Sequence, residues 1–150
     1  MPIKTFRGLI GDGAQDTIVL HTNDGSTGYR IVKFQIMVKE PGNVAQESVV
    51  QMWKVKQTTV VTTNATIDFS DNTLLGAAVG IYGGLGGNTV PFLESIIFDN
   101  EIFNQDIYIT HTDNESAESI NYYLELEQVK LDLSENTVAT LKDIRNITAQ

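Results

Sequence analysis

The sequence predicts an all-β domain, an antiparallel β-sandwich of jelly-roll type with about eight strands. Three observations lead there. Short runs of β-branched or alternating apolar residues recur along the chain, separated by turns rich in Gly, Asn, Asp and Pro. No alternation of strand and helix patterns appears, which argues against a doubly wound parallel sheet. The segment Ile120–Leu133 (INYYLELEQVKLDL) reads as one long strand against which the others are laid. In it Ile120, Tyr122, Leu124 and Leu126 share a face, and Glu125 and Glu127 lie on the other beside Tyr123. After Glu127 the apolar phase moves to Val129, Leu131 and Leu133, a shift that predicts a β-bulge within this strand.

Ile3–Ile10 mixes Ile3, Phe6, Leu9 and Ile10 with Lys4 and Arg7. It reads as a first strand or packed lead-in, with an arm that docks on a neighbouring subunit as the sharper alternative. Gly11 to Gly13 turns the chain, and Thr17–His21 (TIVLH) is a short strand. A glycine-containing turn cluster spans Asn23 to Gly28. Tyr29–Glu40 alternates well: Val32, Phe34, Ile36 and Val38 point one way, Lys33, Gln35 and Lys39 the other, with Ile31 and Met37 out of phase. Pro41-Gly42 ends this strand, and a polar loop follows to Ser48.

Val49–Gln57 is the next strand. Val49, Gln51, Trp53 and Val55 share one face, and Val50, Met52, Lys54 and Lys56 the other. Lysines belong in water, so Trp53 is expected to face the core. Thr58–Thr66 has strand composition with weak phase, continues through Ile67–Phe69, and turns at Ser70–Asn72. Thr73–Tyr82 is interrupted by Gly76 and Gly80, which favours extended or irregular structure over helix. Gly83–Gly87 reads as a mobile surface loop, because it lacks the Lys-Ser/Thr of a phosphate-binding loop. Glu94–Phe98 and Asp106–Thr112 are short strands, with a half-turn or bulge at Glu101–Phe103 and a polar loop at Asp113–Ser119. For the C-terminal segment two readings stay open. One is a helix capped by Ser134, with Val138, Leu141 and Ile144 at helical spacing; the other is a last strand at Thr137–Leu141.

The 150 residues fit one domain, residues 1–150. A formal net charge of -9 argues against a nucleic-acid partner, and no segment is apolar enough to predict a membrane span. The chain has no cysteine, which removes disulfides, thiolate metal sites and a Cys nucleophile. His21 and His111 sit near strand ends and could form half of a metal site, but without a third ligand they read as two semi-exposed histidines. Asp68 with Asp71, or Asp99 with Glu101, could be an acid–base pair or calcium ligands. Turn capping is the commoner use of such residues, and no EF-hand order, GxSxG or HExxH is present. The expectation is a protein that is not an enzyme and holds no cofactor or metal. Tyr29, Tyr82, Phe92 and Tyr123 lie outside the expected core, as a sugar-stacking platform or as core filling and subunit contact.

The passages Tyr29–Met37 (YRIVKFQIM), Asp68–Ala77 (DFSDNTLLGA), Ser95–Ile109 (SIIFDNEIFNQDIYI), Asn121–Leu126 (NYYLEL) and Thr140–Arg145 (TLKDIR) are together similar to small virion structural proteins of tailed phages of aquatic bacteria, of the cyanophage type. The similarity covers most of the chain, in order, and carries no active-site residues. It implies a cement or decoration protein on the capsid exterior, partnered by the major capsid protein and by itself; homotrimers at lattice three-fold positions are one arrangement that would serve this role. The alternative it leaves is a tail or baseplate component, or a host-glycan-binding module. Ile3, Phe6, Tyr82, Leu85 and Phe92 are the residues expected at a subunit or capsid interface.

Overall fold

The computed structural model describes residues 2–23, 25–58, 66–83, 92–98 and 100–132. Among them run eight strands: β1 (Ile3–Ile10), β2 (Gln15–Ile18), β3 (Thr27–Val38), β4 (Gln46–Trp53), β5 (Leu74–Tyr82), β6 (Phe92–Ile97), β7 (Ile107–Asp113) and β8 (Ile120–Lys130). They form two antiparallel sheets, β1-β8-β3 and β2-β7-β4-β5-β6, and the described residues contain no helix. The all-β, two-sheet expectation therefore holds. The strand order is that of a jelly roll with one departure: β6, which would regularly flank β3, stays with its hairpin partner β5. The expected C-terminal helix or strand, the Gly83–Gly87 loop beyond Gly83, and Leu85 and Asp99 lie outside the described residues.

β8 is the middle of its sheet, as its patterning implies. It pairs with β1 from Ile3↔Glu127 to Ile10↔Ile120 and with β3 from Thr27↔Lys130 to Val38↔Ile120. The bulge, however, is not in β8. The β1–β8 register runs unbroken, and the irregularity lies in β3 between Ile31 and Lys33. Val32 is the extra residue. Once it is skipped, Tyr29, Ile31, Phe34 and Ile36 all point inward and are buried. Ile31 is therefore out of phase only if the strand is read without its bulge. The phase change after Glu127 falls in the last three residues of β8, which still pair with β3; Leu131, just past the strand, is buried.

The core lies between the sheets. Phe34 and Ile36 of β3 and Leu124 and Leu126 of β8 belong to one cluster with Val50 and Met52 of β4, Leu75 of β5 and Ile107 and Ile109 of β7. Burying each of these side chains stabilises the fold by about 1.5–3 kcal/mol. This corrects the face assigned to β4. Val50 and Met52 enter the core, and Trp53 points to the opposite side of the sheet. Trp53 is nonetheless buried there, its indole N–H donating to Thr110 Oγ1 at 2.9 Å. Lys54 is buried too, paired with Glu101; only Lys56 is solvated as expected.

β2 ends earlier than the TIVLH run suggests. The Asp106 carboxylate accepts the backbone N–H groups of Leu20 and His21 at 2.8 and 3.0 Å, and Val19 is left exposed. Tyr29 is core rather than surface, stacked on Phe103 at 6.5 Å between centroids. In β5, Gly76 lets β6 approach closely. A Cβ there would lie 2.9 Å from the Ile96 carbonyl oxygen and 3.0 Å from Met52 Cε. Gly76→Ala is expected to destabilise the protein by about 2 kcal/mol in urea unfolding, because one contact is backbone and cannot rotate away. An unchanged midpoint would mean the hairpin gives freely.

Candidate functional site

The outer face of the three-stranded sheet follows directly from register. Side chains at 121, 123, 125 and 127 of β8 turn away from the buried set at 120, 122, 124 and 126. Their cross-strand neighbours complete three rows: Thr5–Glu125–Lys33, Arg7–Tyr123–Gln35 and Leu9–Asn121–Met37. At the bulged end the Arg30 guanidinium grips the Glu127 carboxylate at 2.6 Å. The Tyr123 hydroxyl donates to Glu125 at 2.7 Å, and the Lys33 ammonium stands 6.0 Å from the Tyr123 ring centre. The hydrogen bond to Glu125 holds the Tyr123 phenol above its usual pKa, since ionisation would set two negative oxygens against each other. The other end of the face is apolar: Leu9 is 50% exposed and Met37 66%.

Beside these rows runs a groove of about 720 Å³. Arg7, Gln35, Met37 and Tyr123 line it on the sheet side, and Leu93 to Ser95 of β6 form the other wall. The groove is a consequence of the topology. β6 lies near the open edge of β3 without joining it, so the place where a fourth strand would extend this sheet is a trough. Its lining combines an aromatic ring, an amide, a guanidinium and aliphatic groups. That mixture suits docking of a mixed polar and apolar surface.

The residues expected at an interface are scattered. Ile3 and Phe92 are exposed on β1 and β6, Phe6 packs against the core, Tyr82 is half-buried at the end of β5, and Leu85 is outside the described residues. None of the four described residues lines the groove. The residues missed are Arg7, Leu9, Gln35 and Met37. Met37 did carry a signal, an apolar side chain on the polar side of an alternating strand.

The histidines have separate partners. His21 Nδ1 lies 2.7 Å from Asp106 Oδ1. His111 is fully buried, not semi-exposed: its Nδ1 is 3.1 Å from the Ile10 carbonyl and its Nε2 2.9 Å from Ser48 Oγ. Ser48 with His111 has the look of a nucleophile and base. Both are wholly enclosed, and the second ring nitrogen meets a backbone carbonyl rather than a carboxylate. Asp68 and Asp71 resolve as turn chemistry, whereas Glu101 pairs with Lys54 and Asp99 lies outside the described residues. Asp68 Oδ1 accepts from the Ser70 N–H and hydroxyl, which hold its pKa low, and Asp71 Oδ1 accepts in the same way from Thr73. Among the described residues no group of three or more His, Asp or Glu side chains is placed to hold a metal ion. Compared with known proteins, the chain matches no family model, and no curated protein matches it.

Proposed function

We propose that this protein is a non-enzymatic structural component of a phage virion, a cement or decoration protein that binds the outer capsid lattice. The observation that carries the reading is the exposed apolar end of the three-stranded sheet, Leu9 and Met37, set beside the groove. The similarity of five sequence passages to small phage virion proteins supplies the particle. The major capsid protein is the partner, and the exterior of the shell is the site. Each contact is small, and repetition over a symmetric lattice turns weak contacts into stable decoration.

The test is binding of the purified protein to particles stripped of it, with a reconstruction of the decorated shell. The double variant Leu9→Glu/Met37→Glu is expected to bind at least about tenfold more weakly, since two charges would enter a desolvated contact. Its melting temperature should stay unchanged, because both side chains are already in water. Full binding by that variant, or density on the tail alone, overturns the proposal. A second reading, a tail or baseplate part that binds host glycan, draws support from Tyr123, Gln35 and Arg7 in the groove. Copy number separates the two: on the order of hundreds per particle for decoration, a few dozen at most for a tail part.

A further inference from the structure

We propose that β6 is a self-pairing edge, through which two copies of this chain join antiparallel about a two-fold axis at Ser95. Among the described residues β6 is bonded to β5 on one side only. Gly76↔Ile97 and Ala78↔Ser95 set its register, and just past the strand the Phe98 N–H donates to the Leu75 carbonyl at 3.0 Å. In an antiparallel ladder a residue turns both its backbone groups to the same neighbour, and the next residue turns them away. Phe98, Ile96 and Glu94 therefore face β5. The N–H and C=O groups of Leu93, Ser95 and Ile97 face outward.

The other sheet edges carry the devices that block strand addition. β1 bears Lys4 and Arg7, β2 is only 4 residues long, and β3 is bulged and bears Lys33. β6 carries a single charge, Glu94, and no other such device. Its register is unbroken, it contains no Lys or Pro, and Phe92, Leu93 and Ile96 are 48%, 59% and 41% exposed. The groove between β6 and β3 leaves room on the side of Leu93 and Ser95.

The strand is most fully complementary to itself in one register, the one that pairs all three outward residues; an axis at Ile96 pairs only Ser95 and Ile97. With the axis at Ser95, Leu93 lies opposite Ile97 and Glu94 opposite Ile96. About six interchain hydrogen bonds form, one donated by each of Leu93, Ser95 and Ile97 in each copy. With the axis at Glu94, the two carboxylates face each other at the closest kind of pair, which like charge opposes. This two-fold contact is distinct from the three-fold arrangement expected on a lattice. It concerns the free protein and is independent of the capsid reading, so failure of one leaves the other standing.

The absence of native cysteine makes the test direct. Directly opposed residues in a hydrogen-bonded pair have Cα atoms about 5.5 Å apart, within disulfide range. Under mild oxidation Ser95→Cys is expected to become a covalent dimer, whereas Glu94→Cys, offset from its copy by two residues, stays largely uncrosslinked. Wild-type protein should sediment as a dimer at about 100 µM, and Leu93→Lys should weaken the association at least about tenfold with an unchanged circular dichroism spectrum. A monomeric wild type, or equal crosslinking of the two cysteine variants, overturns the proposal.

Discussion

Asp113→Ala is expected to lower the unfolding free energy by about 4 kcal/mol, a large part of what holds a domain of this size together. The Asp113 side chain is buried at the end of β7. Its Oδ1 accepts the N–H groups of Glu47 and Glu115 at 3.0 Å each, and its Oδ2 accepts that of Glu118 at 2.9 Å. Its own N–H donates to Asp12 Oδ1 at 2.8 Å. One carboxylate thus ties the start of β4 to the loop leading into β8, while its backbone anchors the turn after β1. Hydrogen bonds to a charged group contribute about 1.5–3 kcal/mol each, and water recovers part of the loss on the loop side. Burial pushes the Asp113 pKa up, but the backbone N–H groups outweigh it and hold the carboxyl below 3.8. Its contribution is therefore present above that pH and lost as the pH falls through the lower folded-state value. Asp113→Asn keeps one acceptor and should lose about half as much. Urea midpoints measure both; a loss below about 1 kcal/mol for Asp113→Ala would mean the loop supports itself.

His111 should make the fold sensitive to mild acid, at a pH where carboxylates are still ionised. Burial lowers its pKa below 6.5, against the opposing pull of the Gly11 and Ile10 backbone and of Asp113 and Asp12. In the folded state the ring is neutral between the Ile10 carbonyl and the Ser48 hydroxyl, with Gln46 Nε2 donating to that same hydroxyl at 3.2 Å. Below about pH 6.5 the unfolded chain takes up a proton that the folded chain resists. Stability is therefore full above 6.5 and falls by up to about 1.4 kcal/mol per pH unit beneath it, until the folded ring also protonates. Between pH 7 and 5 the loss is bounded at about 2 kcal/mol, the limit for a ring that stays neutral in the fold throughout. His111→Gln should remove most of that slope whatever its own stability, and His21 is common to both proteins. Parallel pH profiles for the two would show that the acid response lies elsewhere.

The two-sheet fold was legible because most strands bury one face, and β8 states its phase in four alternating apolar residues. Legibility failed where that contrast vanishes. β4 is buried on both faces, so nothing in its hydropathy separates Val50 and Met52, which enter the core, from Trp53, which does not. Lys54 misled for a related reason: a lysine signals water unless a carboxylate such as Glu101, far off in the chain, meets it. The bulge left its mark as an apparent exception at Ile31, and the strand opposite it was the natural but mistaken place to look. Of the outer-face site only Tyr123 and the out-of-phase Met37 were legible, and its assembly was not. Arg7, Tyr123 and Gln35 become one row only through pairing between β1, β8 and β3, and no spacing along the chain encodes that register.

The position of β7 and β8 in the sheets also sets the order in which the molecule can be built. β7 sits between β2 and β4, and β8 between β1 and β3. Each of these two strands is an insertion into a slot whose walls are made earlier in the chain. Ile3 must wait for Glu127 before its backbone finds a partner. The stretch that can pair with its immediate successors is the meander β4–β5–β6. A chain emerging from the ribosome therefore holds this meander first, with the open side of β6 already on display, and closes only once β8 has been made. Such long-range closure is slow, on the order of milliseconds to seconds. Over that interval the edge proposed to pair two mature copies is also where nascent copies would meet, and a translational pause ahead of β7 would prolong it.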